Sequence, residues 1–188
     1  MTTELSFKPI KRNLWTDFEE LFGPNGACAG CWCMFWKLRG KEYDEARGSE
    51  TRQMHKSIVD SGVPTGLLAY LHGEVVGWIA IEPRESYPRL AHSRTLKPVD
   101  DQPVWSITCF FVAKSFRRQG ITVELLKAAV EHARKLGAGI VEGYPVETQE
   151  DMPAPFLYTG TASAFEQAGF REVARRTPTR PIFRFFIE

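Results

Sequence analysis

The sequence predicts a mixed α/β fold: a central, mostly antiparallel sheet with one parallel strand, helix, strand crossover, flanked by helices. Three observations lead there. Apolar runs rich in β-branched and aromatic residues recur at 66–71, 74–82 and 104–112, as half-buried or buried strands require. His72-Gly73 joins the first two as a hairpin signal. The run at 104–112 is followed by a helical stripe, Ile121, Leu125, Leu126, Ala129, Val130, Ala133 and Leu136, and then by another apolar run, 139–146. Strand, helix, strand in that order makes a right-handed parallel crossover.

The remaining elements follow in chain order. Leu5 to Ile10 is a first strand, and Asn13 is expected to cap a helix whose Leu14, Phe18, Leu21 and Phe22 share one face. Gly23 and Pro24 stop it. The stretch to Gly48 reads as irregular and aromatic. A second helix is expected from Ser49 to Asp60 with a thin apolar face, Met54 and Ile58, partly exposed. Pro83 to Pro103 reads as a long loop, the kind that often carries function. Thr161 to Ala168 is a short helix ended by Gly169, and 171–176 with 182–187 form a closing antiparallel pair.

A chain of 188 residues with no evident linker is expected to fold as a single domain, 1–188. A formal net charge of +1 gives no global field to recruit nucleic acid or an acidic membrane surface. No run reaches the length of a membrane span, and the first residues lack the basic start and apolar core of a signal peptide. The expectation is a cytoplasmic protein with neither nucleic-acid nor membrane partners. Its four cysteines, three of them bunched at Cys28, Cys31 and Cys33, are then reduced thiols.

The most informative stretch joins the strand at 104–112 to the next helix through Arg117-Arg118-Gln119-Gly120-Ile121-Thr122. Successive unpaired N–H groups at a helix N-terminus favour an anion. Gly120 lets the backbone approach it, and the two arginines suit phosphate. Arg-x-x-Gly-x-Thr after Phe-Phe-Val resembles the acetyl-coenzyme-A signature of the GNAT (GCN5-related N-acetyltransferase) superfamily, which usually has Gly or Ala where Thr122 stands. Ala164-Phe-Glu-Gln-Ala-Gly-Phe170 resembles the same family's C-terminal helix and turn, and the element order is similar across essentially the whole chain.

The resemblance implies a GNAT-type acyl-CoA N-acyltransferase fold and an acetyltransferase with acetyl-CoA as acyl donor. The acceptor it implies is a primary amine, read here as a small molecule. It also implies splayed fourth and fifth strands, with Phe110, Phe111 and Val112 offering backbone groups to pantetheine and the thioester carbonyl. Arg117, Arg118, Gln119, Gly120, Ile121 and Thr122 would hold the pyrophosphate. The family often places a tyrosine acid where this chain has Phe165, so Tyr158 or Tyr144 is expected to substitute. Glu142 is the carboxylate best placed as a base; the other reading is a strand-end residue facing water.

Trp32, Phe35 and Trp36 are expected either to wall the acceptor pocket or to belong to the core. Cys28, Cys31 and Cys33 would need His55 or Cys109 to complete a zinc site, and no paired Cys-x-x-Cys supports one, so no metal is expected. The runner-up from another functional class is a non-catalytic acyl-CoA-binding or thiol and redox-sensing module, suggested by Phe165 and the cysteines. The apolar C-terminal strand needs cover from its own core or from a second copy, which leaves room for a homodimer.

Overall fold

The structure is a computed structural model that describes residues 5–147, 153 and 156–188. Seven strands form one sheet in the order β1-β2-β3-β4-β5-β7-β6. They are β1 (Leu5–Pro9), β2 (Gly66–Leu71), β3 (Glu74–Pro83), β4 (Trp105–Val112), β5 (Ile140–Gly143), β6 (Arg171–Arg175) and β7 (Pro181–Phe186). β4 and β5 run parallel and the other neighbours are antiparallel. The expected mixed sheet with one crossover is therefore present.

The helices are α1 (Trp15–Phe22), α2 (Gly40–Ala46), α3 (Ser49–Asp60), α4 (Pro88–Ala91), α5 (Ile121–Lys135) and α6 (Ala162–Gln167). Strand alternation sends Leu67, Ile79 and Ile81 to one face, where Leu125 and Leu126 of α5 and Phe165 of α6 cover them. Leu68, Trp78 and Ala80 point to the other face, against Phe18 and Phe22 of α1 and Val59 of α3. Full burial of each large side chain contributes roughly 1.5–3 kcal/mol, so these two layers hold the sheet.

Four local expectations are corrected. Asn13 does not cap α1; it lies in a short 3-10 turn, Arg12–Leu14, and no side chain caps the helix. Both segments expected to be free of regular structure contain a helix, α2 before Gly48 and α4 after β3, which is the second correction. The fifth strand ends at Gly143, with one isolated bridge at Val146.

The fourth correction concerns α3, which buries Thr51, His55 and Val59 rather than Met54 and Ile58. Its buried stripe is polar because it serves the preceding turn. Thr51 donates to Gly30 O at 2.7 Å, and His55 pairs with Trp32 O at 2.9 Å and Thr65 Oγ1 at 3.1 Å. A carbonyl beside Nδ1 makes that nitrogen the donor, leaving Nε2 to accept from Thr65. The turn held this way is strained, with positive φ at Ala27, Ala29, Trp32 and Cys33.

Candidate functional site

The site begins where the parallel pairing stops. β4 and β5 share three partners, Trp105 with Val141, Ser106 with Glu142 and Ile107 with Gly143. β4 then continues to Val112 while β5 ends. A bulge falls at the divergence: Ala80 pairs with Cys109 and Ile81 with Ile107, leaving Thr108 without an opposite residue. Ala113 donates to Val76 O of β3, so by alternation Phe111 also spends its main chain on β3 while Phe110 and Val112 face the gap.

Both gap-facing residues are engaged. Phe110 N–H donates to Tyr158 O at 2.6 Å, and Val112 O accepts from Arg117 Nε at 2.9 Å. Phe111 differs from the sequence expectation, because its main chain belongs to the sheet and its ring packs on Phe22, 5.3 Å between centroids.

The glycine turn sits at the end of this gap. Arg118 and Gly120 adopt φ of 62° and 79°, which turns the chain sharply into α5. Gln119, Gly120, Ile121 and Thr122 find no main-chain acceptor among the described residues, so four N–H groups point outward at the N-terminus of a fifteen-residue helix. A Cβ on Gly120 would meet nothing within 4 Å, so glycine is needed there for its backbone conformation and for what approaches from outside. Arg117 is committed to Val112 O and Gln119 to Ser115 O at 3.0 Å, while the Arg118 guanidinium has no hydrogen-bond partner among the described residues.

Beneath the gap, Phe165 fills the wedge. It is fully buried, and a Cβ on Gly143 would stand 2.1 Å from its ring. A Cβ on Gly160 would stand 2.9 Å from the Phe165 ring and 3.0 Å from that of Phe110. The position where the family often has a tyrosine is here a packing residue.

The three polar candidates part company. Glu142 is 1% exposed, so the expectation of a water-facing strand end is corrected. Its carboxylate accepts from Arg84 at 2.9 Å, Arg184 at 2.7 Å and the Tyr144 hydroxyl at 2.7 Å. Tyr144 also meets Ser106 Oγ at 2.8 Å, and burial followed by the Glu142 charge pushes its phenol well above the ordinary value. Both oxygens of the buried Glu142 carboxylate are engaged, and the Tyr144 proton is spent on Glu142.

Tyr158 is half-buried at the gap, with its ring 6.2 Å from that of Phe35. Burial pushes its phenol up to about 12, so it stays protonated, and its hydroxyl has no hydrogen-bond partner among the described residues. Of the three aromatics, Phe35 makes the ring pair with Tyr158, which also packs against the buried cluster that holds Trp36. Trp32 stacks on Phe22 at 5.8 Å within the α1 layer, and Trp36 is buried with Tyr87, Leu90 and Tyr144. The wall reading thus fits Phe35, and the core reading fits the two tryptophans.

Composition and spacing did not single out a buried polar group on the same side: Glu82, 2% exposed, with the Lys37 ammonium against its carboxylate. Burial pushes Glu82 up, and Lys37 opposes this. The Tyr87 hydroxyl lies beside Glu82 and Thr108 without an aligned hydrogen bond among the described residues. Only the polar end of the run at 74–82 hinted at Glu82.

The thiols are also sorted. Cys33 is buried and accepts from Trp78 Nε1 at 3.3 Å; interaction with the Cys109 thiol pushes Cys33 down and Cys109 up. Among the described residues no group of three or more His, Cys, Asp or Glu could hold a metal ion. Burial pushes His55 down to about 3, and both of its nitrogens are taken.

Comparison with known proteins places this geometry. Residues 32–159 match the model of the Acetyltransferase (GNAT) family. No curated protein matches the sequence. Among solved structures, a Salmonella typhimurium protein assigned as an acetyltransferase and solved with its cofactor acetyl-CoA is similar at 12% identity, covering 98% of this chain and 94% of that one, with a TM-score of 0.54. Diaminobutyrate acetyltransferase from Paenibacillus lautus, in complex with its substrate and coenzyme A, is similar at 18% identity over 98% and 95%, TM-score 0.50. The polyamine N-acetyltransferase of Drosophila melanogaster is similar at 9% identity over 98% and 100%, TM-score 0.56. These likenesses show a shared fold, and the family match spans more than half of the sequence; the chain belongs to the GNAT family of acetyltransferases, enzymes whose acyl donor is acetyl-CoA.

Proposed function

We propose that this enzyme moves the acetyl group of acetyl-CoA to the primary amine of a small molecule. The observation that carries the reading is the junction of two features. The β4–β5 pairing breaks after three partners, and four unpaired N–H groups stand at the Gly120 turn beside the break. The donor's pyrophosphate fits the N–H groups of residues 119–122 with Arg118. Its pantetheine then runs into the gap along Phe110 and Val112.

Phe110 N–H, which now donates to Tyr158 O, is the donor for the thioester oxygen once the carbonyl displaces that contact. Tyr158 is the proton source for the departing thiolate, because it is the gap's protonated and unengaged hydroxyl. Glu142 and Tyr144 keep the β4–β5 pairs together. With Glu82 and Glu142 both ion-paired, the amine enters neutral and loses its proton to water. A small amine acceptor is supported by Phe35 beside Tyr158, and two structural neighbours act on a diamino acid and on polyamines.

Calorimetric titration with acetyl-CoA tests the donor half. A Cβ at Gly120 meets nothing within 4 Å, and Gly120→Glu costs about 1–2 kcal/mol in left-handed strain, so the variant is expected to fold. Its carboxylate opposes the phosphates, and binding is expected to fall at least ~100-fold. Unchanged affinity would remove the turn from the site.

A further inference from the structure

The cations on the Tyr158 side of the molecule fall into two kinds. Arg84 and Arg184 are fully employed: Arg84 reaches Glu142, Tyr144 and the carbonyls of Leu90 and Leu96, and Arg184 reaches Glu142 and both oxygens of Asp100. Burial pulls Arg184 down, and its hydrogen bonds to Asp100 and Glu142 outweigh that and leave it raised. Arg89 and Arg180 are half-buried and, among the described residues, meet no carboxylate.

Arg89 lies 3.9 Å over the Phe35 ring and 5.5 Å from that of Tyr43, and donates from Nε to Leu38 O at 3.1 Å. Its second terminal nitrogen, Nη2, is buried with no acceptor among the described residues. Arg180, in the turn between β6 and β7, donates to Thr159 Oγ1 at 3.3 Å, and burial pushes its guanidinium below the ordinary value. That direction, opposite to Arg184, is what burial without a compensating anion produces. Both guanidiniums act through space on the Tyr158 hydroxyl. The Phe35 ring neighbours both Arg89 and the Tyr158 ring, and Thr159 links Arg180 to the same segment.

We propose that the acceptor is a carboxylate-bearing amine, a free amino acid or a close derivative, whose carboxylate is held by Arg180 and Arg89 while its amino group faces Tyr158 and Phe110. This deepens the acetyl-transfer reading above and rests on it. A buried cation is stable when paired, and the guanidinium fork matches a carboxylate in geometry and charge. A polyamine would instead bring positive charge against two guanidiniums. The Lys37–Glu82 pair on the same side is already neutral and recruits neither sign.

The test measures coenzyme A release chromatographically, so that the protein's own thiols do not interfere. The acceptors are matched sets of one amino acid, its carboxamide and its decarboxylated amine. Wild type is expected to prefer the acid by at least about tenfold in kcat/KM, the worth of a charge-assisted hydrogen bond. Arg180→Gln should raise KM for the acid by about 10- to 100-fold, raise it for the amide much less and leave acetyl-CoA affinity intact. Arg180→Lys should recover part of the loss. Arg89→Gln, checked for an unchanged melting temperature, should repeat the pattern.

Equal or better use of the decarboxylated amine, an equal loss on all acceptors in Arg180→Gln, or no turnover of any acid while acetyl-CoA still binds would each overturn the proposal and leave the donor site standing. Failure of wild type to bind acetyl-CoA would instead overturn the acetyl-transfer reading and this proposal with it.

Discussion

Two polar regions flank the end of β5, and they are built on opposite principles. Around Glu142 every oxygen is taken: two arginines, a tyrosine and, through Arg184, Asp100 close a network with the carboxylate 1% exposed. Around Tyr158 the donors are left over among the described residues: a protonated phenol without a partner, a buried guanidinium nitrogen without an acceptor, and Arg180 depressed by burial. A closed network fixes geometry, while unmatched donors at a strand break expect something that comes and goes. On sequence grounds Glu142 was the candidate base and Tyr158 a candidate acid; the state of their hydrogen bonds supports an architectural role for the first and, in the proposed reading, a chemical role for the second.

The largest effect that could break this division is at Glu142. Glu142→Gln leaves Arg84 and Arg184 facing a neutral amide in the interior, and losing one member of a buried ion pair costs about 3–5 kcal/mol. For a chain of this size that corresponds to a melting temperature lower by roughly 6–20 °C. The surviving folded fraction should keep the wild-type shape of its pH–rate profile. A variant with unchanged stability and an altered acidic limb would return Glu142 to the role of base.

Tyr158→Phe is the converse experiment. No hydrogen bond is lost with the hydroxyl among the described residues, so melting should stay within a couple of degrees, while kcat falls about 100-fold as for loss of a general acid. KM for acetyl-CoA should hold, since the contact between Phe110 N–H and Tyr158 O uses the main chain. With the phenol pushed up to about 12, wild type should show no loss of rate from Tyr158 deprotonation below about pH 10. A variant that melts early and turns over normally would place Tyr158 with the architecture.

How far the sequence speaks depends on whether a residue's neighbours are local. The strands and α5 were legible because burial imposes periods of two and 3.6 on the residues themselves, and Gly120 was legible because turn, helix and basic pair are contiguous. Glu142 was misread because its arginines come from positions 58 residues before and 42 after it, distances that no pattern spans. Arg89 and Arg180 carry no local mark of their surroundings for the same reason. Phe111 sits one residue from the right answer: the bulge at Thr108 decides which of two adjacent residues faces the gap, and a bulge has no reliable sequence mark. On α3, Thr51 and His55 broke the apolar period because their role is to hold the Gly30–Trp32 turn.

His55 provides the smallest and most conditional test, since it is a closed site that acid can open. Its two nitrogens are paired and burial pushes it down to about 3, against an ordinary 6.5, so the folded protein holds it neutral where the unfolded chain would protonate. Because the unfolded state binds the extra proton, stability is whole above about pH 6.5 and falls as pH drops toward 3, by about 1.4 kcal/mol per unit once well below 6.5. Between pH 7 and pH 5 the loss is about 2 kcal/mol, measurable as a lower urea midpoint. His55→Gln should be less stable at pH 7 and yet lose less on acidification, because the titrating ring is gone. Parallel acid losses in the two proteins would assign the pH dependence elsewhere, with Glu82 excluded as its cause: burial raises that carboxyl, so acid relieves Glu82 rather than straining it.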